Sequence, residues 1–486
     1  MDINYRNSFK IFGAIMLVMS LAMMLPLIVA VIYGESDCII AFAQVIVPSA
    51  IIGLMLMKLI KSKKKALKMR DGAFIVSVTW ILFSLIGSIP FMLTESIPNF
   101  ADAFFETASG FTTTGSTVVS DIESLPKAVL FWRALTHWLG GMGILIFTIA
   151  LLPALGMDGQ QVASAEMPGP TLSKITPKLS DTARYLYILY ILMTLAETVL
   201  LMFGGMSLFD ALCHSFSSLG TGGFSNYNNS IMHFQSGYIE VVLALFMFLA
   251  GMNFNLFFIF FRNGISAFIK DGEWKLYVGI VACCTLIVAI PLYVTGIYGL
   301  GDALRHSFFQ NVTVITTTGF ASADYMLWPV FCQSILFLLF FVGGSTSSTS
   351  GGIKVLRILV FAKMVKRSLV LRLHPNAVVP IKVNDRQVSR DTVSHMSGFL
   401  FLYIGVGVLC TFIISFDGFD AMTNISAAFS CLGNIGLGFN EVGPSGNFGI
   451  FSDFSKIVMA FTMIAGRLEL FTLLVLFTKR FWRPFR

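Results

Sequence analysis

Charged residues make up only 12% of this 486-residue chain, against about 25% in ordinary soluble domains. The longest polar connections, Leu152–Arg184 and Lys363–Ser394, are too short for a conventional independent soluble domain. The seven cysteines, at positions 38, 213, 283, 284, 332, 410 and 431, show no CxxC or Cys/His spacing. That excludes a zinc-type ligand set or disulfide framework and leaves small apolar packing residues. The six histidines are scattered. HExxH and GxSxG are absent, which argues against a membrane enzyme. Walker A is absent and no GxGxxG follows a strand, so the chain is not expected to bind nucleotide or any organic cofactor.

Apolar runs are what the chain has in abundance: 56% of its residues are hydrophobic. Segments near the ~20 residues that cross a bilayer recur throughout. The first, Ile11–Tyr33, is longer than a signal-peptide core and lacks a small-x-small cleavage site, so it reads as a span. A second follows at Ala41–Ile60. Further spans are expected near Ala73–Leu93, Ala128–Leu152, Tyr185–Phe203, Tyr238–Phe261, Leu276–Val294, Pro329–Phe361, Val393–Ser415 and Phe454–Phe477. The net charge of +7 does not point to nucleic acid, because the positive residues cluster between spans. They fall at Lys58–Arg70, at Arg262, Lys270 and Lys275, across Lys363–Arg390, and at Lys479–Arg486. The positive-inside rule places these turns and both termini in the cytoplasm. Glu95, Asp102, Glu106, Asp121 and Glu123 then face outward.

Between the later spans one short stretch occurs four times. It reads Phe111-Thr112-Thr113-Thr114-Gly115, Leu219-Gly220-Thr221-Gly222-Gly223, Ile315-Thr316-Thr317-Thr318-Gly319 and Leu432-Gly433-Asn434-Ile435-Gly436. Each ends an apolar segment opened by Asp-Ala, at 102, 210, 302 and 420. The distance from Asp to the closing Gly is 13 residues in the first two copies (102 to 115, 210 to 223). It is 17 in the third (302 to 319) and 16 in the fourth (420 to 436). The longer pair differs by about one helical turn, which suits four short helices of like orientation.

The expected fold is therefore an all-α polytopic membrane protein. Ten transmembrane helices comprise two N-terminal spans and four helix–pore loop–helix units. The boundaries are 1–70 for the N-terminal pair with its basic turn, then 71–183, 184–270, 271–390 and 391–486. Thr/Gly-rich backbone at membrane depth cannot face lipid, so it must be buried or line a watery path. Four such elements are best accommodated on one axis, where carbonyls replace the water around a cation. Glycine permits the backbone angles that turn carbonyls inward. The C-terminal, negative dipole end of each short helix would point at the ion. One TTTG alone carries little information, since Thr and Gly are common at helix contacts. Four copies between spans are specific.

The chain resembles the superfamily of K+ transporters that includes Trk, Ktr and plant HKT proteins. The two extra N-terminal spans look like the Trk type of membrane subunit (TrkH/TrkG). Phe131-Trp132-Arg133 and His137 through Ile144, Gly343–Gly352 with Ile353-Lys354, and Gly466-Arg467 also match the family. The resemblance covers essentially the whole chain. It implies a pseudo-fourfold pore within one chain, a homodimer in the cytoplasmic (inner) membrane, and K+ as the transported substrate. A glycine at each of 115, 223, 319 and 436 implies K+ preference. The filter residues are then Thr112, Thr113, Thr114, Gly115; Gly220, Thr221, Gly222, Gly223; Thr316, Thr317, Thr318, Gly319; and Gly433, Asn434, Ile435, Gly436. Asn434-Ile435 depart from the Thr-rich pattern. The resemblance also implies a cytosolic nucleotide-binding regulatory partner of the Trk A type, docked on the basic surface.

Gly343–Gly352 is ten consecutive Gly, Ser or Thr residues inside an expected span. Such a span must break there. The family implies a mobile intramembrane loop that gates the path, with Gly343, Gly344, Ser345, Thr346, Gly351 and Gly352 as gate residues. It places Arg467 below the filter as an electrostatic barrier. Lys354 is expected to reach the cytoplasmic interface. Arg133, His137, Glu197, His214 and Glu240 are read as packing or interface residues. The competing function is a secondary transporter for Na+ or another small solute, which predicts inverted halves rather than four like-oriented units. Channel-like conduction and coupling to H+ or Na+ both stay open.

Overall fold

The structure is a computed structural model that describes residues 4–60, 68–143, 179–384 and 386–483. Lys61, Lys63, Lys64 and Lys65 of the basic turn lie outside the described residues. So do residues 144–152 of the span expected at Ala128–Leu152, and Arg486.

Helices α1 (Tyr5–Tyr33) and α2 (Ser36–Leu59) form an antiparallel pair. Gly34, at φ 72°, ends α1 in the left-handed conformation and returns the chain. Where the two cross, a Cβ on Gly13 would stand 2.8 Å from the Gly53 carbonyl oxygen, and the reverse holds equally. Small residues let membrane helices approach this closely.

Among the described residues one order recurs four times: a long helix, a short helix, a Gly-ended stretch and a second helix, which is interrupted in the last three units. The long helices are α3 (Met69–Leu93), α6 (Leu179–Phe203), α11 (Gly272–Val294) and α15 (Arg390–Ile414). The short ones are α4 (Phe100–Phe111), α7 (Leu208–Leu219), α12 (Leu300–Ile315) and α16 (Ala421–Gly433). The second members are α5 (Lys127–Gly141), α8 with α9 (Gly237–Ala250, Phe254–Asn263), α13 with α14 (Val330–Leu339, Val355–Leu373) and α17 with α18 (Asp453–Arg467, Phe471–Leu474). A short helix, α10 (Ser266–Lys270), precedes α11.

Two of the second spans are not the continuous helices the hydropathy suggests, and that of the third unit breaks where its Gly/Ser/Thr run predicts. The second unit bends by 87° between α8 and the helix from Phe254, and the fourth by 112° between α17 and the segment from Phe471. The third opens into the Gly/Ser/Thr loop. Hydropathy passes over the two bends because apolar residues flank 251–253 and 468–470 on both sides. Six helices among the described residues are long and apolar enough to cross a membrane, or eight if each bent pair is one span.

The long-helix faces show what surrounds them: Phe203, Val294, Phe401 and Leu59 are largely exposed. Polar groups instead fill the interior, where Arg133, Glu106, Thr113 and Gln310 are each at most 1% exposed. That inversion suits a chain solvated by lipid.

Two expectations need correction. The fold is not wholly helical: Lys382–Val383 pairs antiparallel with Arg386–Gln387 in a small hairpin. The longer Asp-to-Gly spacing lengthens the third short helix to 16 residues against 12 in the first two, but the fourth only to 13. In the fourth copy Asp420 lies outside the helix as its N-cap, whereas Asp102, Asp210 and Asp302 lie within the first turn.

Candidate functional site: a ring of four glycine-ended stretches

Each short helix leads at its C-terminus into its Gly-ended stretch, and the four exits share one backbone conformation. Thr113, Thr221, Thr317 and Asn434 have φ of 55°, 55°, 56° and 55°. Two residues on, Gly115, Gly223, Gly319 and Gly436 have φ of 85°, 83°, 86° and 93°. The residue between them donates its N–H back into the helix at the same place in every copy. These bonds are Thr114 to Ser109 (2.8 Å), Gly222 to Ser217 (2.8 Å), Thr318 to Thr313 (2.8 Å) and Ile435 to Ser430 (2.9 Å). Left-handed angles at alternate residues turn successive carbonyls toward one side of the chain. L-residues pay about 1 kcal/mol or more for such angles, and here glycine supplies one of each pair at no steric cost.

The four stretches close into a ring. A Cβ on Gly115 would overlap the Gly222 carbonyl of the second copy, and one on Gly223 the Thr318 carbonyl of the third. One on Gly319 would overlap the Ile435 carbonyl of the fourth, and one on Gly436 the Thr114 carbonyl of the first. The segments just beyond follow the same circuit. Ile122 donates to Asn228 (2.7 Å), Ile231 to Ala321 (3.1 Å), the Tyr325 hydroxyl to the Gly438 carbonyl, and Phe448 to Thr117 (2.8 Å).

The copies differ in side chains for visible reasons. The His137 ring stands behind the second copy, stacked on Phe224 at 4.1 Å. A Cβ on Gly222 would overlap that ring, so glycine replaces the threonine found at 114 and 318. In the fourth copy Asn434 Nδ2 donates to Thr114 Oγ1 (2.9 Å) and to the Met463 carbonyl (3.0 Å), tying the fourth stretch to the first. Arg133 holds Glu106 at 2.8 Å and also donates to the Ser225 carbonyl at 3.3 Å. Glu106 in turn accepts from Thr117 Oγ1 and Val118 N–H. This buried network pins the chain leaving the first copy to the chain leaving the second.

At the far end of the short helices Asp420 accepts from the Thr423 hydroxyl and from the Met422 and Thr423 N–H groups. The Thr423 hydroxyl bond first, then those N–H groups, hold its carboxyl below the usual aspartate range. His214 is held between the Asp210 carbonyl (2.8 Å) and Ser225 Oγ (3.0 Å), and Arg305 pairs with Glu240 (2.8 Å). Glu197 accepts from the Ser218 hydroxyl. Scattered in sequence, these residues gave no signal of acting together.

The Gly343–Gly352 loop lies against the ring from the opposite side. Its neck is closed by Gly343 N–H to the Ile353 carbonyl (2.8 Å) and Val355 N–H to the Gly344 carbonyl (3.1 Å). Its body enters the break between α8 and α9: Ser345 N–H donates to the Gly251 carbonyl (2.9 Å), and Phe254 N–H to the Ser347 carbonyl (3.1 Å). Gly351 N–H donates to Thr317 Oγ1 (2.7 Å), and a Cβ there would crowd Gly433 and Asn434. Arg467 bridges ring and loop. It donates to Thr113 Oγ1 (3.1 Å), to the Thr349 carbonyl (2.7 Å) and to the Gly140 carbonyl (2.6 Å). Thr346 is held by Glu273, at 2.6 and 2.7 Å. Lys354 does not reach an interface: it is 2% exposed and donates to the Ser350 carbonyl. With the span broken, that carbonyl satisfies the ammonium locally. Sequence reading missed Glu273 altogether.

A helical membrane protein that draws four helix C-termini and four carbonyl-bearing stretches into one ring, with a loop and an arginine beneath, has the anatomy of a cation pathway. Residues 39–483 match the family model described as TrkH, cation transport protein. The chain is 37% identical to the Trk system potassium uptake protein TrkH of Salmonella typhimurium over 99% of its own length and 100% of that protein. It is 36% identical to TrkG of Escherichia coli K12 over 97% of each. The crystal structure of the potassium transporter TrkH from Vibrio parahaemolyticus superposes with a TM-score of 0.88 at 34% identity, covering 99% of this chain and 100% of that one. The chain belongs to the TrkH family of cation transport proteins.

Proposed function

We propose that this chain is the membrane subunit of a Trk-type uptake system, carrying K+ into the cell through the ring. The observation that carries the reading is the closed circuit of four stretches with matching angles at the same two positions. Such a ring offers a dehydrated cation several carbonyls at once, at the negative ends of four helix dipoles. The ligands are Thr112–Gly115, Gly220–Gly223, Thr316–Gly319 and Gly433–Gly436, chiefly through their carbonyl oxygens. The loop with Gly343, Gly344, Ser345, Thr346, Gly351 and Gly352, pinned by Arg467, is the gate. Arg467 also sets a positive charge against the inner end of the ring.

In this reading the four repeated units surround a pseudo-fourfold axis and, with α1 and α2, make ten spans. The second spans of the first and third units supply the two that length alone does not count. The unit boundaries are 71–183, 184–270, 271–390 and 391–486. The basic turns and both termini are cytoplasmic in the inner membrane. Two copies associate, and a cytosolic nucleotide-binding subunit of the Trk A type acts on the basic surface. The like direction of the four short helices favours this over a secondary transporter built of inverted halves.

The test is cation flux into proteoliposomes of the purified protein at clamped potential, with K+, Rb+, Na+ and Li+ compared. K+ and Rb+ passing well above Na+ and Li+, with the difference lost on Gly115→Ser or Gly319→Ser, supports the assignment. Equal passage of all four ions, indifferent to those changes, removes it.

A further inference from the structure

Glu273 is the one carboxylate that the described bonds place on the loop body, which is otherwise held by backbone atoms, serine and threonine hydroxyls and cations. Glu273 lies in the first turn of α11 and is 4% exposed, and it takes both donors of Thr346, which is 6% exposed. Oε1 accepts the Thr346 N–H at 2.6 Å and Oε2 the hydroxyl at 2.7 Å. A carboxylate accepting two donors from one residue makes strong, directional bonds. It fixes the loop at a point away from the ring, while Arg467 fixes Thr349 at the ring.

The turn that carries Glu273 is itself anchored. Asp271 caps α11 by accepting Trp274 N–H (2.7 Å). Its other oxygen accepts from Asn384 Nδ2 (2.7 Å), and Asn384 Oδ1 accepts Gly272 N–H (2.8 Å). Asn384 sits at the turn of the small hairpin, between its two strands. Ile381, Val383 and Val388 of that hairpin segment pack with Leu356 and Val360 of α14, the helix that leaves the loop. The hairpin thus touches both the helix that carries Glu273 and the helix that carries the loop's exit.

We propose that Glu273 is the latch of the loop, a positioning residue whose grip on Thr346 holds the pathway shut and which the hairpin moves through Asn384 and Asp271. The proposal rests on the loop being the gate. A displacement of the hairpin that shifts the start of α11 against α14 draws the carboxylate away from Thr346. The loop then keeps only its backbone bonds and its contacts with the ring and Arg467.

The experiment is basal K+ flux into proteoliposomes of the full-length protein, without any regulatory subunit. Glu273→Ala raises it roughly tenfold or more, as loss of hydrogen bonds to a charged group implies. Thr346→Val raises it by a smaller factor, since the N–H bond survives. Thr346→Ser, which keeps both donors, leaks less than Thr346→Val. The Glu273→Ala/Thr346→Val double variant leaks no more than Glu273→Ala alone, because both act through one contact. The preference for K+ over Na+ persists throughout. A Glu273→Ala protein that assembles as wild type yet does not leak overturns the latch, as do single effects that multiply in the double variant. If Glu273→Ala fails to assemble, Thr346→Val leaves the carboxylate in place and decides the matter by the same readings. Deleting Ser347–Ser350 separates the two layers. If the deletion leaks and the latch variants do not, the latch fails alone. If the deletion does not leak, the gate fails and the latch with it.

Discussion

The ring and the region beneath it are built from the same four repeats and treat them in opposite ways. In the ring the copies agree to within a degree at the first left-handed position and within ten degrees at the glycine. They repeat the same bond into the last helical turn. Beneath it the second spans of the last three units differ: α8 and the helix after it turn by 87°, α13 gives way to a loop, and α17 turns by 112° behind Arg467. The difference is physical. A cation held on a central axis needs equivalent ligands from every side. A barrier needs only one obstruction, and in the proposed reading a loop from one copy with an arginine from another provides it.

Several measurements break or sharpen that contrast. The largest expected effect is on the ring's support. Arg133→Leu leaves Glu106 buried without its partner, which costs about 3–5 kcal/mol. Thermal unfolding in detergent shows it as a much lower midpoint, with the ring lost as a unit. Next comes the ring itself. Gly115→Ser and Gly319→Ser put a Cβ into a neighbouring carbonyl at a left-handed residue, and the strain is about 1–3 kcal/mol before any overlap. The K+ to Na+ flux ratio falls by more than about tenfold, and the two sites respond alike because the copies are equivalent.

The underside behaves differently. Arg467→Gln removes a charge and weakens the tie between Thr113 and Thr349, so basal K+ flux rises several-fold while the ion preference stays. The smallest change is Asn434→Thr, which places at this position the threonine of the other three copies. It loses the bond to Thr114 and the one to Met463, together about 1–3 kcal/mol. A modest fall in the unfolding midpoint with only slight loss of K+ preference is expected. A collapse of preference would mean that the asymmetry of the fourth copy is itself part of the filter.

What the sequence by itself determined is whatever repeats or runs locally. Continuous apolar segments marked the long helices almost to their ends: Leu276–Val294 against Gly272–Val294, and Val393–Ser415 against Arg390–Ile414. Four Gly-ended stretches marked the ring, because the second left-handed position of each copy, at φ of 83° to 93° against a neighbouring carbonyl, is filled by glycine. Ten Gly, Ser and Thr residues marked the loop, because no lipid-facing helix tolerates them. Tertiary structure decided everything that depends on two distant residues meeting. The bends at 251–253 and 468–470 each carry one polar residue, Asn253 or Glu469, which does not by itself mark a bend; only the packed chain shows the loop seated on Gly251 and Phe254 and Arg467 on Thr349. Gly222 reads as a lapse in a Thr-rich pattern until His137, 85 positions earlier, is seen behind it. Lys354 and Glu273 looked like interface charges or nothing at all, and each is instead buried on a loop residue. Such pairings leave no local trace, since a charge near a span's end looks the same in sequence whether it meets water or a partner. Only the packed chain distinguishes them.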